Sequence, residues 1–194
     1  MSILHLTAHP LADSFHAALA ARIADSVAAT GHVYDRCDLY QEGFDPVLSA
    51  EERLGYHASP ANQQPVADAV QRLMAARVLI VQFPVWIFGP PAILKGWFDR
   101  VFLPGVAFRL EDGRPRPGLG HIRAVIGLAT YGTTRPFAWW MGDPPRHLVR
   151  RYLAWCCGGA DTRFLPLYGM NTASASRRAH YLDSACRTVC RMIG

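Results

Sequence analysis

The sequence predicts an α/β protein in which five parallel strands form one sheet with helices on both faces. Strand-like apolar runs alternate with segments of helical periodicity along the whole chain. Two of the runs, 77–85 and 122–131, are almost continuously apolar, as is typical of parallel strands buried on both faces. Because right-handed crossovers place helices on each side of such a sheet, the alternation favours a doubly wound arrangement.

In the first half of the chain we expect strands at 2–9, 32–39 and 77–85 and helices at 14–30 and 66–76. The first helix is the clearest, because Phe15, Leu19 and Ile23 recur at helical spacing and Gly31 follows as a stop signal. The segment between the second strand and the second helix is predicted to be a loop with one short helix.

In the second half we expect helices at 92–102, 146–157 and 174–193 and strands at 122–131 and 162–169. The helix at 146–157 ends at a pair of glycines, Gly158 and Gly159. Residues 108–120 are rich in glycine and proline, and we interpret them as an exposed loop.

Composition predicts a single domain spanning residues 1–194. The chain is 51% hydrophobic and 18% charged, which suits a globular domain with a substantial core. Residues 78–94 carry no charge, but Pro84, Pro90 and Pro91 would break a helix that spans a membrane. The first residues lack the basic leader of a secretion signal, so we expect a cytoplasmic protein without a transmembrane segment.

Charge distribution and cysteine content limit the classes of ligand and partner that we expect. Residues 1–97 carry a net charge of −3 and residues 98–194 a net charge of +8, which makes the second half the expected side for an anionic ligand. Arginines cluster at 146–151 and 174–178 but lie outside nucleic-acid motifs, and no nucleic acid is expected. The five cysteines have no ligand partners at metal-binding spacing, so no metal is expected.

Three loops should meet at one edge of the sheet. In an open parallel sheet, ligands bind beyond the carboxyl ends of the strands, near the switch in strand order. That rule selects residues 9–14, 84–91 and 130–136. In the first, unpaired N–H groups at the start of a helix, with Ser14 and His9 beside them, suit a phosphate. Ordinary helix capping is the alternative there.

The other two loops suit a flat aromatic ligand. Pro84 should end the third strand, and Trp86, Ile87 and Phe88 would then lie over the strand ends, although packing in the core is the competing interpretation. In the last loop, backbone N–H groups near Thr130 would hydrogen-bond the edge of a heterocycle, unless the segment is an ordinary turn.

Taken together, these segments resemble the NAD(P)H:quinone oxidoreductase family, the DT-diaphorase-like, flavodoxin-like flavoproteins. The resemblance rests on "HPLADSFHAAL" and above all on "FPVWIFGPPAILKGWFDRVF", with weaker agreement in "ATYG" and "GDPPRHLVRRYLAWCCGG". It implies a flavodoxin-like fold that binds FAD or FMN, takes hydride from NADPH or NADH, and reduces a quinone in a two-electron ping-pong cycle. A homodimer is also implied.

The resemblance implies a set of cofactor-binding residues and assigns none a catalytic role. Those at the phosphate-bearing arm are His9, Ser14, Phe15 and His16. Those that border the flavin ring are Pro84, Val85, Trp86, Ile87 and Phe88. Those at its pyrimidine edge are Ala129, Thr130, Tyr131 and Gly132.

The chain departs from the family at several of these positions. Relatives commonly have asparagine at His16, tryptophan at Ile87 and glycine at Tyr131, and we expect Tyr131 to narrow the pocket or to stack on the substrate. Phe137 and Met141 occupy positions where better-studied relatives carry a tyrosine and a histidine, and neither side chain transfers a proton. Two alternatives stay open: an ancillary flavoprotein that docks on a potassium-efflux system, and a flavin-free relative with a degenerate site.

Overall fold

A five-stranded parallel sheet forms the centre of the molecule. The computed structural model describes all residues, 1–194. The strands of the sheet are β1 (Ser2–Thr7), β2 (Val33–Asp38), β3 (Val78–Val85), β6 (Ala124–Tyr131) and β7 (Asp161–Leu167), with β4 and β5 in a separate hairpin. Their spatial order is β2–β1–β3–β6–β7, and every neighbouring pair is parallel. The predicted fold class is therefore confirmed.

Helices cover both faces of the sheet. They are α1 (Phe15–Ala28), α2 (Ala50–Leu54), α3 (Ala67–Ala75), α4 (Ala92–Val101), α5 (Arg135–Trp140), α6 (Pro144–His147), α7 (Ala154–Cys156) and α8 (Ala175–Ile193). Short 3₁₀ segments lie at Ala61–Val66 and Met170–Thr172, and a π-helical segment, Leu148–Leu153, joins α6 to α7. Helices α1 and α8 pack together on one face. Helices α3 and α4 and the π-helical segment cover the other.

Two hydrophobic cores result, one on each face. The core under α3 and α4 has 31 buried residues and the core under α1 and α8 has 15, so the α4 side carries most of the apolar burial. Trp97 is fully buried there and lies edge-on to Phe98 and Phe102. The helical spacing of apolar residues along α4 thus serves packing, as the sequence indicated.

Residues 108–117 correct one sequence interpretation. They were expected to be loop, yet β4 (Phe108–Glu111) and β5 (Arg114–Pro117) form an antiparallel hairpin. Asp112 and Gly113 close it with φ angles of +52° and +71°. An Asp-Gly pair is favoured in such two-residue turns, so the signal was present in the sequence. Glycine and proline content alone was a poor guide.

The register of the central strands sets two of the predicted loops side by side. Pro84 pairs with Thr130 and Val85 with Tyr131 at the carboxyl ends of β3 and β6. The loops that follow these strands therefore leave the sheet at the same height. This shared exit is the structural basis of the candidate site.

Gly96 in α4 provides a test of the packing between this helix and the preceding loop. A Cβ at Gly96 would lie 2.2 Å from the carbonyl oxygen of Pro46. Alanine in a helix is normally favoured over glycine by about 1 kcal/mol. At Gly96 the steric overlap with the backbone of Pro46 should outweigh this preference. We therefore expect Gly96→Ala to lower the free energy of unfolding by about 2 kcal/mol, as measured by urea titration.

Gly55→Ala is the matched control, because a Cβ there would meet only Glu51 O at 3.6 Å, an ordinary contact. It should change the free energy of unfolding by less than about 0.5 kcal/mol. Equal stabilities of the two variants would show that α4 does not rest on Pro46 as described.

Candidate functional site

The three loops selected from the sequence lie against one another at the carboxyl edge of the sheet. The ring of His9 stacks on that of His16, with centroids 5.4 Å apart and planes at 17°. His9 also lies 6.3 Å from the ring of Trp86. The carboxyl end of β6 joins them through Thr130, whose Oγ1 is 2.8 Å from His16 Nε2. Residues far apart in sequence thus form one surface.

The first turn of α1 offers free hydrogen-bond donors. Ser14 caps the helix, and its Oγ accepts from the backbone N–H of Ala17 at 3.2 Å. The backbone N–H groups of Asp13, Phe15 and His16 have no acceptor within the protein. Because the N-terminal end of a helix carries partial positive charge, these donors suit an anion.

A groove of about 580 Å³ runs beside this turn. Thr7, the last residue of β1, and Gln82, in the second half of β3, line it and are only 4% and 1% exposed. Thr7 Oγ1 and Gln82 Oε1 have no hydrogen-bond partner, although buried polar atoms are nearly always paired. Neither residue was among those predicted from the sequence. Their signal was a polar residue near the end of an otherwise apolar strand.

His16 is held neutral by its surroundings. Burial, and then the charge of the neighbouring His9, lowers its pKa from 6.5 to about 3. Gln82 Nε2 donates to the backbone oxygen of His16 at 2.7 Å and lies 3.3 Å from Nδ1. This arrangement assigns Nδ1 as the acceptor and Nε2 as the donor to Thr130. The hydroxyl hydrogen of Thr130 is then free for another acceptor.

A second neutral histidine lies deeper in the sheet. His5 is fully buried, and burial followed by the charge of Arg36 lowers its pKa to about 3. Its Nδ1 lies 2.6 Å from the hydroxyl of Tyr34 on β2. His5 and Tyr34 therefore form an uncharged polar layer between the groove residues Thr7 and Gln82 and the apolar core.

The aromatic loop after β3 is a strained two-residue turn. Trp86 and Gly89 exchange both backbone hydrogen bonds at 3.0 Å. Between them, Ile87 and Phe88 have φ angles of +48° and +56°, which are rare for large side chains. The turn leaves Ile87 98% exposed and Trp86 43% exposed. Strain of this kind is often found where a loop is shaped for a ligand.

The chain matches a known protein family over almost its whole length. The family profile described as the flavodoxin-like fold matches residues 1–190. The chain belongs to this flavodoxin-like family. The match covers nearly the whole sequence and agrees with the strand order β2–β1–β3–β6–β7.

Individual relatives of this flavodoxin-like protein confirm the resemblance to NAD(P)H:quinone oxidoreductases. It is 31% identical over 146 residues to NAD(P)H dehydrogenase [quinone] 1 of Cavia porcellus, covering 67% of this chain and 53% of that protein. The chain thus spans about half the length of the curated relatives it matches.

Two solved structures resemble it along their full length. The NAD(P)H:quinone oxidoreductase of Methanothermobacter marburgensis superposes with a TM-score of 0.82 at 28% identity, covering 96% of each chain. Smu.1420 of Streptococcus mutans superposes with a TM-score of 0.85 at 26% identity, covering 97% of this chain and 98% of that one.

Most of the predicted site residues of this flavodoxin-like protein lie around the groove and the aromatic turn. His9, Ser14 and His16 line the groove, and Phe15 lies beside it against Tyr181. Pro84, Val85, Ala129 and Thr130 are strand residues paired across β3 and β6. Trp86, Ile87 and Phe88 form the turn, and Gly132 is exposed next to the end of β6.

The expectation that Tyr131 narrows the pocket or stacks on the substrate is wrong. Tyr131 is buried, and its hydroxyl donates to Asp143 Oδ1 at 2.5 Å. Tyr168 donates to the other carboxylate oxygen, Oδ2, at 3.1 Å. The ring occupies core space because β6 turns that side chain away from the loop surface.

The flavodoxin-like chain has no helix that is both long and apolar enough to cross a membrane. No group of three or more histidine, cysteine or acidic residues is arranged to hold a metal ion. Phe137 and Met141 are partly exposed, and the rings of Phe137 and of Phe88 in the aromatic turn lie 5.9 Å apart between centroids.

Proposed function

We propose that this protein is a flavin-dependent NAD(P)H dehydrogenase that reduces quinones. One observation carries the proposal. Unpaired N–H groups at the start of α1 adjoin the partnerless oxygens of Thr7 and Gln82, within reach of an exposed tryptophan. Such a surface suits a ligand with a phosphate-bearing polar arm and a flat ring. The named relatives support the same reading.

A flavin fits these residues in parts. The N–H groups of Asp13, Phe15 and His16 would hold its phosphate. Trp86 and the backbone of the strained turn would border its ring, and the loop at Thr130 and Gly132 would meet its pyrimidine edge. These roles follow from donors without partners and from exposed aromatic surface.

When bound, FAD or FMN would supply two-electron hydride transfer, first from NADPH or NADH and then to the quinone in a ping-pong cycle. The residues of this chain would bind and orient. Thr130 has a free hydroxyl hydrogen because His16 donates to its oxygen, so it can donate to a carbonyl of the ring. A donor fixed at that edge favours negative charge there.

Alanine substitution of one aromatic residue on the ring side, Trp86, and one at the phosphate-bearing arm, Phe15, tests the placement of the flavin. We expect Trp86→Ala and Phe15→Ala each to raise the flavin dissociation constant about tenfold, since each removes stacking or packing surface worth about 1.4 kcal/mol. Fluorescence titration of the flavin-free protein with FMN and with FAD measures this and shows which flavin binds more tightly.

Trp155→Ala is the control, because this half-exposed tryptophan on α7 precedes β7 and lies at the opposite, amino edge of the sheet. It should leave flavin affinity unchanged. If the purified protein is colourless and binds neither FMN nor FAD, the reductase proposal fails. A yellow protein that NADPH or NADH bleaches without oxygen, and that quinone recolours, supports it.

We also propose that the protein forms a homodimer through the apolar surface of α5. Phe137, Trp140 and Met141 are exposed, the ring of Phe137 lies 5.5 Å from that of Trp140, and it lies 5.9 Å from that of Phe88 in the aromatic turn. Clustered exposed aromatics are typical of interfaces. Light scattering should give twice the chain mass, and Trp140→Asp should give the monomer mass. A monomeric parent protein would contradict the proposal.

A further inference from the structure

A second cavity, of about 620 Å³, opens beside the edge strand β7. It shares no lining residue with the groove at α1. Four arginines from separate elements line it: Arg135 of α5, Arg146 of α6, Arg150 of the π-helical segment and Arg177 of α8. Trp139 and Tyr168 also line this cavity.

The four guanidinium groups lack acidic partners. None has a carboxylate oxygen within 4.0 Å, whereas Arg72 on the opposite side of the protein bonds both Asp35 and Glu42. Asp143 lies behind the cavity wall, but it is buried and accepts hydrogen bonds from Tyr131 and Tyr168. Four positive groups and one enclosed carboxylate leave the cavity strongly positive.

Trp139 holds two of these arginines in place. The guanidinium carbon of Arg135 lies 4.3 Å from the ring centroid, and that of Arg146 lies 5.7 Å from it. A guanidinium that rests on an aromatic face is partly ordered, and its N–H edge stays open to an acceptor. Arg135 and Arg146 are therefore positioned before any ligand binds, which reduces the entropy that binding loses.

We propose that this cavity binds the phosphate group of a small phosphorylated molecule. Arginine forks match phosphate oxygens in pairs, and a dianion relieves the repulsion among the four unpaired charges. The volume suits an organic molecule that carries the phosphate, since ligand pockets span about 300–1,000 Å³. The phosphate belongs either to NADPH or to a separate metabolite. Unlike the reductase activity, the site requires no flavin.

Calorimetric titration of the purified full-length protein with adenosine 2′,5′-bisphosphate tests the site, and adenosine is the unphosphorylated control. We expect saturable binding that weakens as sodium chloride is added. Arg146→Ala and Arg150→Ala should each weaken it at least tenfold, and Arg146→Lys should fall between because it keeps the charge but loses the fork. Arg163→Ala, whose side chain pairs with Asp161, should bind as the parent does.

Binding that is unchanged in the arginine variants, or equal for adenosine, overturns the proposal. The dependence on Arg146 and Arg150 separates this cavity from phosphate bound at α1. Thermal denaturation of each variant shows that it is folded. A separate kinetic measurement identifies the source: Arg146→Ala raises KM for NADPH but not for NADH if the phosphate is that of NADPH. An unchanged KM ratio with weakened bisphosphate binding assigns the cavity to another metabolite.

Discussion

Acidification from pH 6 to pH 4 should destabilise this protein steeply. His5 and His16 both have pKa values lowered to about 3 by burial, whereas in the unfolded chain they titrate near 6.5. Between these values the unfolded state binds more protons, so the free energy of unfolding falls as the pH falls. Each histidine contributes about 1.4 kcal/mol per pH unit in this window. Urea titrations at pH 7, 6, 5 and 4 measure the slope.

His16→Asn isolates one of the two contributions. The slope between pH 6 and pH 4 should become shallower by about 1.4 kcal/mol per pH unit, because one proton-binding site is removed from the unfolded state. His147→Asn is the control, since solvent reaches this exposed ring in the folded and unfolded states alike. A slope that His16→Asn leaves unaltered would mean that the ring is not buried as a neutral group.

Loss of the Asp143 carboxylate should have the other large effect. Asp143 is only 3% exposed and accepts hydrogen bonds from two tyrosines, one buried and one half-buried. Burial, then the hydrogen bond to Asp143 and then the charge of Asp143 raise the pKa of Tyr131, so its hydroxyl stays a donor. Asp143→Ala leaves both hydroxyls without this acceptor and should lower the free energy of unfolding by about 3 kcal/mol.

Tyr168→Phe is the graded comparison for this prediction. It removes one of the two hydrogen bonds without leaving an unpaired donor, and we expect a loss of about 1 kcal/mol. Thermal and urea unfolding of Asp143→Ala, Tyr168→Phe and the parent protein give the order. Asp143→Ala equal in stability to Tyr168→Phe would show that the bond to Tyr131 contributes nothing.

The sheet and its principal helices could be predicted because their signals are local. The continuous apolar run at 77–85 became β3, and the helical spacing of Phe15, Leu19 and Ile23 became α1. Such patterns depend only on neighbours within a few turns. The choice of loops at the carboxyl edge followed from strand alternation combined with a general rule on ligand position.

The features that could not be predicted depend on contacts between segments that are distant in the sequence. His16 meets Thr130 across 114 residues, and no local pattern announces that pairing. The hairpin at 108–117 and helix α5 were not predicted, although the Asp-Gly pair in the sequence is typical of a hairpin turn. Tyr131 was assigned to the pocket from its position in the loop. Its ring faces Asp143 instead, because its direction depends on strand geometry and packing.

By itself, the sequence determined the five strands of the sheet and its principal helices, the aromatic loop after β3 and the donors at the start of α1, since each arises from residues adjacent in the chain. Only the tertiary structure decided that Thr7 Oγ1 and Gln82 Oε1 lie without partners beside those donors, and that four arginines from separate elements share one cavity. The physical reason is that the burial and the charge balance of a site depend on residues that lie far apart in the chain and meet only when it folds.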